Sequence, residues 1–106
     1  MCEIYFMKIT RWNSDLSFDF KANEKLLNEK GIDYKTIDIS PGKKINNLRA
    51  HFNETLTINQ GELIFNFTGT QFGLKVGDKL EIPSNTIYSI SNLKDIQAQL
   101  TVIYSV

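Results

Sequence analysis

Gly61-Glu62-Leu63-Ile64-Phe65-Asn66-Phe67-Thr68-Gly69-Thr70, running on through Gly77-Asp78-Lys79-Leu80-Glu81-Ile82-Pro83-Ser84-Asn85, decides how the rest of the chain is read. Leu63, Phe65 and Phe67 alternate with other residues up to a hairpin turn at Thr68-Gly69-Thr70. Phe72, Leu74 and Val76 then lead to Gly77-Asp78, and Leu80 and Ile82 lead to Pro83-Ser84-Asn85. A period of two broken by Gly, Pro and Asn belongs to short strands, each with one buried face, joined by tight turns. The same period appears on both sides of this stretch. Ile37 and Ile39 precede the turn signal Ser40-Pro41-Gly42, and Leu56 and Ile58 alternate with Thr55, Thr57 and Asn59. Leu100, Val102 and Tyr104 oppose Thr101, Ile103 and Ser105 within 97–106. Turns at roughly ten-residue spacing predict an antiparallel sandwich or barrel.

Toward the start the pattern changes. Residues 2–9 are rich in Ile, Tyr, Phe and Met and read as a strand, apolar at both parities (Ile4 and Phe6; Tyr5, Met7 and Ile9). Such a strand is expected to be covered on both faces. Met7 offers a second possible start, which would make residues 1–6 a dispensable extension. Residues 15–20 read as a connection. Residues 21–30 read as one short helix with Leu26 and Leu27 as its apolar stripe, lysine in its last turn and Gly31 as its C-cap.

Composition narrows the function. The 106 residues point to one domain (1–106), with 1–31 as strand and helix and 32–106 as the barrel. Twelve Lys and Arg against twelve Asp and Glu remove the electrostatic case for nucleic acid or an anionic membrane surface. The single cysteine, Cys2, cannot close an internal disulfide, which fits a reducing, cytoplasmic compartment. The opening Cys2-Glu3-Ile4-Tyr5-Phe6-Met7 is short, acidic and without a basic flank, unlike a signal peptide.

Two spacings carry a resemblance. The first is Gly42, five residues, Leu48-Arg49-Ala50, three residues, Glu54, six residues, Gly61. The second is Gly77, five residues, Pro83-Ser84-Asn85, two residues, Tyr88, three residues, Asn92. Together they resemble the two motifs of small single-domain cupins, without an insertion, over about residues 32–106. The resemblance implies an all-β, antiparallel double-stranded β-helix (a jelly-roll barrel) with one short N-terminal helix. Glycine at 42, 61 and 77 suits sharp turns, and Asn85 stands where the family prefers glycine, as the best-tolerated substitute in the left-handed region.

The departures fall on chemistry. Metal-bearing cupins hold their ion with two histidines and a glutamate of the first motif and a histidine of the second; the matching positions here are Leu48, Ala50, Glu54 and Tyr88. Leu and Ala have no lone pair to offer, whereas a divalent transition metal needs roughly three or four N, O or S ligands. No metal and no cofactor are therefore expected. The resemblance implies a ligand pocket formed by Leu48, Ala50, Glu54, Leu56, Phe65, Tyr88 and Ile90, with no catalytic residue assigned.

Each of these residues has a plain alternative. Glu54, turned inward among apolar neighbours, would have a raised pKa and could grip a hydroxyl or move a proton; alternatively it sits in water at the mouth, or serves Tyr88 structurally. Tyr88 shares inward parity with Thr86 and Ile90 and either meets a ligand or fills the space of the missing ion. His51 has outward parity unless a bulge near Asn53 intervenes. With Arg49, Lys43 and Lys44 it is either a solvated basic face or an anion site. Trp12 in Arg11-Trp12-Asn13 reads as packing, and Glu3 and Asp78 as surface or turn residues, Asp78 capping the turn begun at Gly77.

The reading is a metal-free barrel binding a small polar metabolite, sugar-like or an organic acid, in a binding or regulatory role. A cofactor-independent sugar isomerase or epimerase and a purely structural dimer module are the alternatives. The expected partners are that small molecule and a second copy, in a homodimer formed through the strand at residues 2–9.

Overall fold

The computed structural model describes residues 8–12 and 20–105. Strand β1 (Lys8–Thr10) is followed by helix α1 (Phe20–Glu29), then β2 (Tyr34–Ile39), β3 (Lys44–Arg49), β4 (Asn53–Gln60) and β5 (Leu63–Phe67). The chain continues through β6 (Thr70–Leu74), β7 (Lys79–Ile82), β8 (Ile87–Ser91) and β9 (Ala98–Ser105). Two antiparallel sheets face each other: β1-β7-β4-β9-β2 and β3-β8-β5-β6.

The period of two makes the core. In the five-stranded sheet, Leu56 pairs with Val102 and Leu80, while Leu100 pairs with Ile37 and Ile58. In the four-stranded sheet, Phe65 pairs with Ile90 and Phe72. The facing sets close into one cluster in which Leu56, Ile58, Leu63, Phe65, Leu80 and Leu100 have no exposed surface. Burying a side chain of this size is worth about 1.5–3 kcal/mol relative to leaving it in water, so alternation selects the register.

Several local expectations change. Of the strand read at residues 2–9, residues 2–7 lie outside the described residues; Lys8 and Ile9 pair with β7 and bring Ile9 against Leu80. The helix closes through Gly31, whose N–H donates to the Asn28 carbonyl while Ile32 N–H donates to that of Leu27 (3.1 and 3.0 Å). Leu27 is buried but Leu26 is exposed, and Lys30 falls one residue past the helix end, so the last turn holds no base. The stripe is thus a single leucine. The phenol of Tyr34 in β2 lies near Glu24 and Asn28 of α1, and desolvation together with Glu24 pushes its pKa up. Strand β3 is polar enough (Lys44, Asn46, Asn47, Arg49) that periodicity does not reveal it. It contains a bulge between Ile45 and Leu48, with Asn47 at φ 57°.

Two glycines are required by their surroundings. A Cβ on Gly61 (φ 76°) would sit 3.1 Å from Ala98 and from the Gln97 carbonyl. One on Gly77 (φ 91°) would sit 2.5 Å from Cγ of Trp12, whose ring lies across it. Asn85 adopts φ 66°, the left-handed backbone expected of a glycine substitute. Asn92 is fully buried; its Nδ2 donates to the carbonyls of Ile39 and Ile96 (3.0 and 2.9 Å), and its Oδ1 accepts from Lys94 N (3.1 Å). It joins the end of β2 to the loop before β9.

Asp78 is not a surface residue. It is 5% exposed and accepts from the backbone N–H groups of Lys75 and Trp12 and from the Arg11 guanidinium, each at 2.9 Å. Burial pushes this carboxyl up, but the donors and the guanidinium outweigh it and hold it below its ordinary range. Arg11 also donates to the Gly73 carbonyl at 2.7 Å. Arg11 and Trp12 thereby fasten the segment after β1 across the β7 end of the barrel. Asn13 and Glu3 lie outside the described residues.

Candidate functional site

At one end of the barrel the inner faces separate and leave a cavity of about 310 Å³. Its walls are apolar: Ile37, Leu56, Leu100 and Val102 from the five-stranded sheet, Leu48 and Ile90 from the four-stranded one. Leu48 reaches the interior because the bulge at Asn46–Asn47 resets parity, letting both Ile45 and Leu48 turn toward the core opposite Ile90 and Tyr88.

The polar centre is one pair. Glu54 and Tyr88, 8% and 7% exposed, meet from opposite sheets, with the Tyr88 hydroxyl donating to Glu54 Oε1 at 3.1 Å. Burial pushes the Glu54 carboxyl above its ordinary range, opposed by the Tyr88 hydrogen bond and the positive charges of His51 and Lys35. Burial also pushes the Tyr88 phenol far up, reinforced by the negative charge of Glu54. Tyr88 is thus a neutral donor at any physiological pH, and Glu54 keeps unused acceptor capacity facing the cavity.

Lys35, Arg49 and His51 line the mouth, together with Phe52 and Tyr104. The two rings meet edge to face, centroids 6.3 Å apart. His51 is exposed, as its parity suggests, yet it borders the same cavity as Glu54. The bulge lies in β3 rather than near Asn53, whose Oδ1 instead accepts from Ser84 N at 2.9 Å.

Of the pocket residues expected from sequence, Leu48, Glu54, Leu56, Tyr88 and Ile90 border the cavity. Ala50 and Phe65 do not: both are fully buried outside its wall. The Ala50 backbone is bonded to Asn85 and Thr86 in the β7–β8 turn, and Phe65 lies behind Tyr88, its ring stacked 6.4 Å from the phenol. Sequence reasoning missed Lys35, Ile37, Phe52, Leu100, Val102 and Tyr104 as lining residues. Parity held a signal for most of them: Lys35 is in step with Ile37 and Ile39, and Tyr104 with Leu100 and Val102. Lys43 and Lys44 stay away from the cavity.

No protein-family model and no curated protein matches this chain. Solved structures do. CENP-C of Drosophila melanogaster, solved bound to CAL1, is 26% identical with a TM-score of 0.63, over 68% of this chain and 63% of that one. A cupin superfamily protein of Desulfitobacterium hafniense is 13% identical with a TM-score of 0.62, over 100% of this chain and 83% of that one. A DUF861 family protein of Thermotoga maritima is 14% identical with a TM-score of 0.63, over 94% of this chain and 100% of that one. The chain spans less than two thirds of the CENP-C chain it matches. Topology and likeness together define a cupin-type fold, an antiparallel double-stranded β-helix with one helix among the described residues.

The metal that this fold often carries does not fit the residues here. Positions 48, 50, 54 and 88 supply one carboxylate and one neutral phenol, already bonded to each other, against a need for about three or four ligands. Among the described residues no group of three His, Cys, Asp or Glu side chains is placed to hold an ion, and no helix is long and apolar enough to cross a membrane.

Proposed function

We propose that this protein binds a small polar metabolite in the barrel, without a metal, in a binding or regulatory role. The observation that carries the reading is the Glu54–Tyr88 pair set among apolar walls in a cavity of about 310 Å³. A mostly apolar pocket with a few convergent polar groups is the usual composition of a ligand site. At about 30 Å³ per water, the space equals about ten waters, which suits a molecule the size of a small sugar or organic acid. The test is a thermal-shift screen of sugars, sugar phosphates and organic acids alongside metal analysis of the purified protein. One class raises Tm in the parent, less so in Y88F, and metal stays far below stoichiometric. Stoichiometric nickel, iron, manganese or zinc, or no shift from any class, would overturn the reading.

One observation favours a second reading, a cofactor-independent sugar isomerase or epimerase: His51, Glu54 and Tyr88 border one cavity. Deuterium uptake at a sugar carbon in D2O, abolished by H51N, would establish it. Pairing of two copies through the N-terminal strand is likewise proposed, on the apolar sequence of residues 2–9, and sedimentation of a stable monomer at micromolar concentration would exclude it.

A further inference from the structure

Cations dominate the mouth of the cavity. Lys35 comes from β2, while Arg49 ends the edge strand β3 and His51 lies in the turn directly after it, so two segments distant in sequence converge on one opening. The lining contains one acid, Glu54, which sits inside and is engaged by Tyr88. Tyr88 and Tyr104 are the other titratable groups facing the space. The lining therefore sets the Lys35 ammonium, the Arg49 guanidinium and the His51 imidazole against one carboxylate. The ion pairs between described residues are Arg11–Asp78 and Lys94–Glu62, neither of which involves Lys35 or Arg49. Both cations are exposed and available to a partner.

We propose that the ligand is a small polyhydroxy anion, its carboxylate or phosphate held at the mouth by Lys35, Arg49 and His51 and a hydroxyl donating inward to Glu54. This rests on the metabolite-binding reading and names its ligand class. The two ends of the cavity call for opposite chemistry. The mouth offers donors and positive charge, and Arg49 supplies the planar fork that engages both oxygens of a carboxylate or phosphate. The interior offers an acceptor already partnered by one hydroxyl, which suits a second hydroxyl donor and disfavours a second carboxylate beside Glu54. The apolar walls between them fit the carbon chain. A neutral sugar would leave the cations unused, and a plain fatty acid would leave the remaining acceptor capacity of Glu54 unused.

The experiment is calorimetry with four probes, ribonate, ribose, pentanoate and ribose phosphate, on the parent, K35Q, R49Q and E54Q. Ribonate or ribose phosphate should bind at least about tenfold tighter than ribose and than pentanoate. K35Q and R49Q, at exposed positions that leave the core intact, should each weaken the anionic polyol about tenfold and leave ribose unchanged. E54Q should weaken it several-fold without affecting pentanoate. The anion affinity should fall with added salt. Preference between ribonate and ribose phosphate identifies the anionic group. Ribose binding as tightly as both overturns this inference while leaving the metabolite-binding reading standing. Pentanoate matching ribonate overturns the role of Glu54. No binding by any probe overturns the ligand class, and the broader thermal-shift screen then decides the parent reading.

Discussion

Among the described residues the barrel buries two carboxylates, Asp78 and Glu54, and it treats them oppositely. Asp78, 5% exposed at the β7 end, receives two backbone N–H groups and a guanidinium and is held low. Glu54, 8% exposed at the cavity end, receives one phenolic hydrogen bond and is pushed up by burial. Nearly equal burial therefore says little about what a charge does; the donors around it decide. The fully partnered acid is a fastener for Arg11 and Trp12. The half-partnered one faces an open space with cations at its rim, which is how a site differs from a strut.

The sharpest way to break the comparison is to remove the fastener. D78A removes the carboxylate that accepts from Lys75 N, Trp12 N and the Arg11 guanidinium, and should cost about 2–4 kcal/mol in urea unfolding at neutral pH. The acid limb carries the same sign: because the folded-state pKa of Asp78 is lowered, its stabilisation is complete above the ordinary carboxylate range. It is lost as pH falls through the lowered value. D78N should flatten that limb.

Next in size is G77A, which places a methyl at φ 91° and within 2.5 Å of the Trp12 ring. A loss of about 1–3 kcal/mol with quenched or shifted Trp12 fluorescence is expected, and a neutral result would show that Trp12 does not lie there. At the other carboxylate the sign reverses. The raised pKa of Glu54 means that its charged form costs stability above that value, and that the cost fades as pH falls to the ordinary carboxylate range. E54Q should therefore match or exceed the parent at neutral pH, by up to about 1 kcal/mol, and remove this slope from the stability curve. Destabilisation as large as that of D78A would make Glu54 structural. The smallest effect is in Y88F, where loss of the hydroxyl removes a hydrogen bond that holds the Glu54 carboxyl down; the Glu54 carboxyl carbon should titrate at still higher pH by NMR.

Most of the scaffold was legible. Gly61, Gly77 and Asn85 occupy positive φ because turn chemistry is local, and strands with alternating Leu, Ile, Val and Phe announce their buried face. Strand β3 escaped because an edge strand with a bulge has little apolar alternation to show. Asp78 caps the turn at Gly77 as its position suggests, accepting from Lys75 N, but its burial is not legible locally because its other partners lie at residues 11 and 12, more than sixty positions away. Within the site, Leu48, Glu54 and Tyr88 follow from motif positions and Leu56 and Ile90 from strand parity beside them, whereas Lys35 and Tyr104 come from strands that no motif marks.

The sequence by itself determined the strand faces, the turns and the replacement of donor side chains at 48, 50 and 88, since each depends on a residue and its near neighbours. Tertiary structure alone decided which of those inward faces enclose space and which fill it. It also decided that Phe65 stands behind Tyr88, and that Lys35, Arg49 and His51 share a mouth with Glu54. Empty volume and converging charge are properties of how two sheets diverge, and that divergence is set by contacts between residues far apart along the chain.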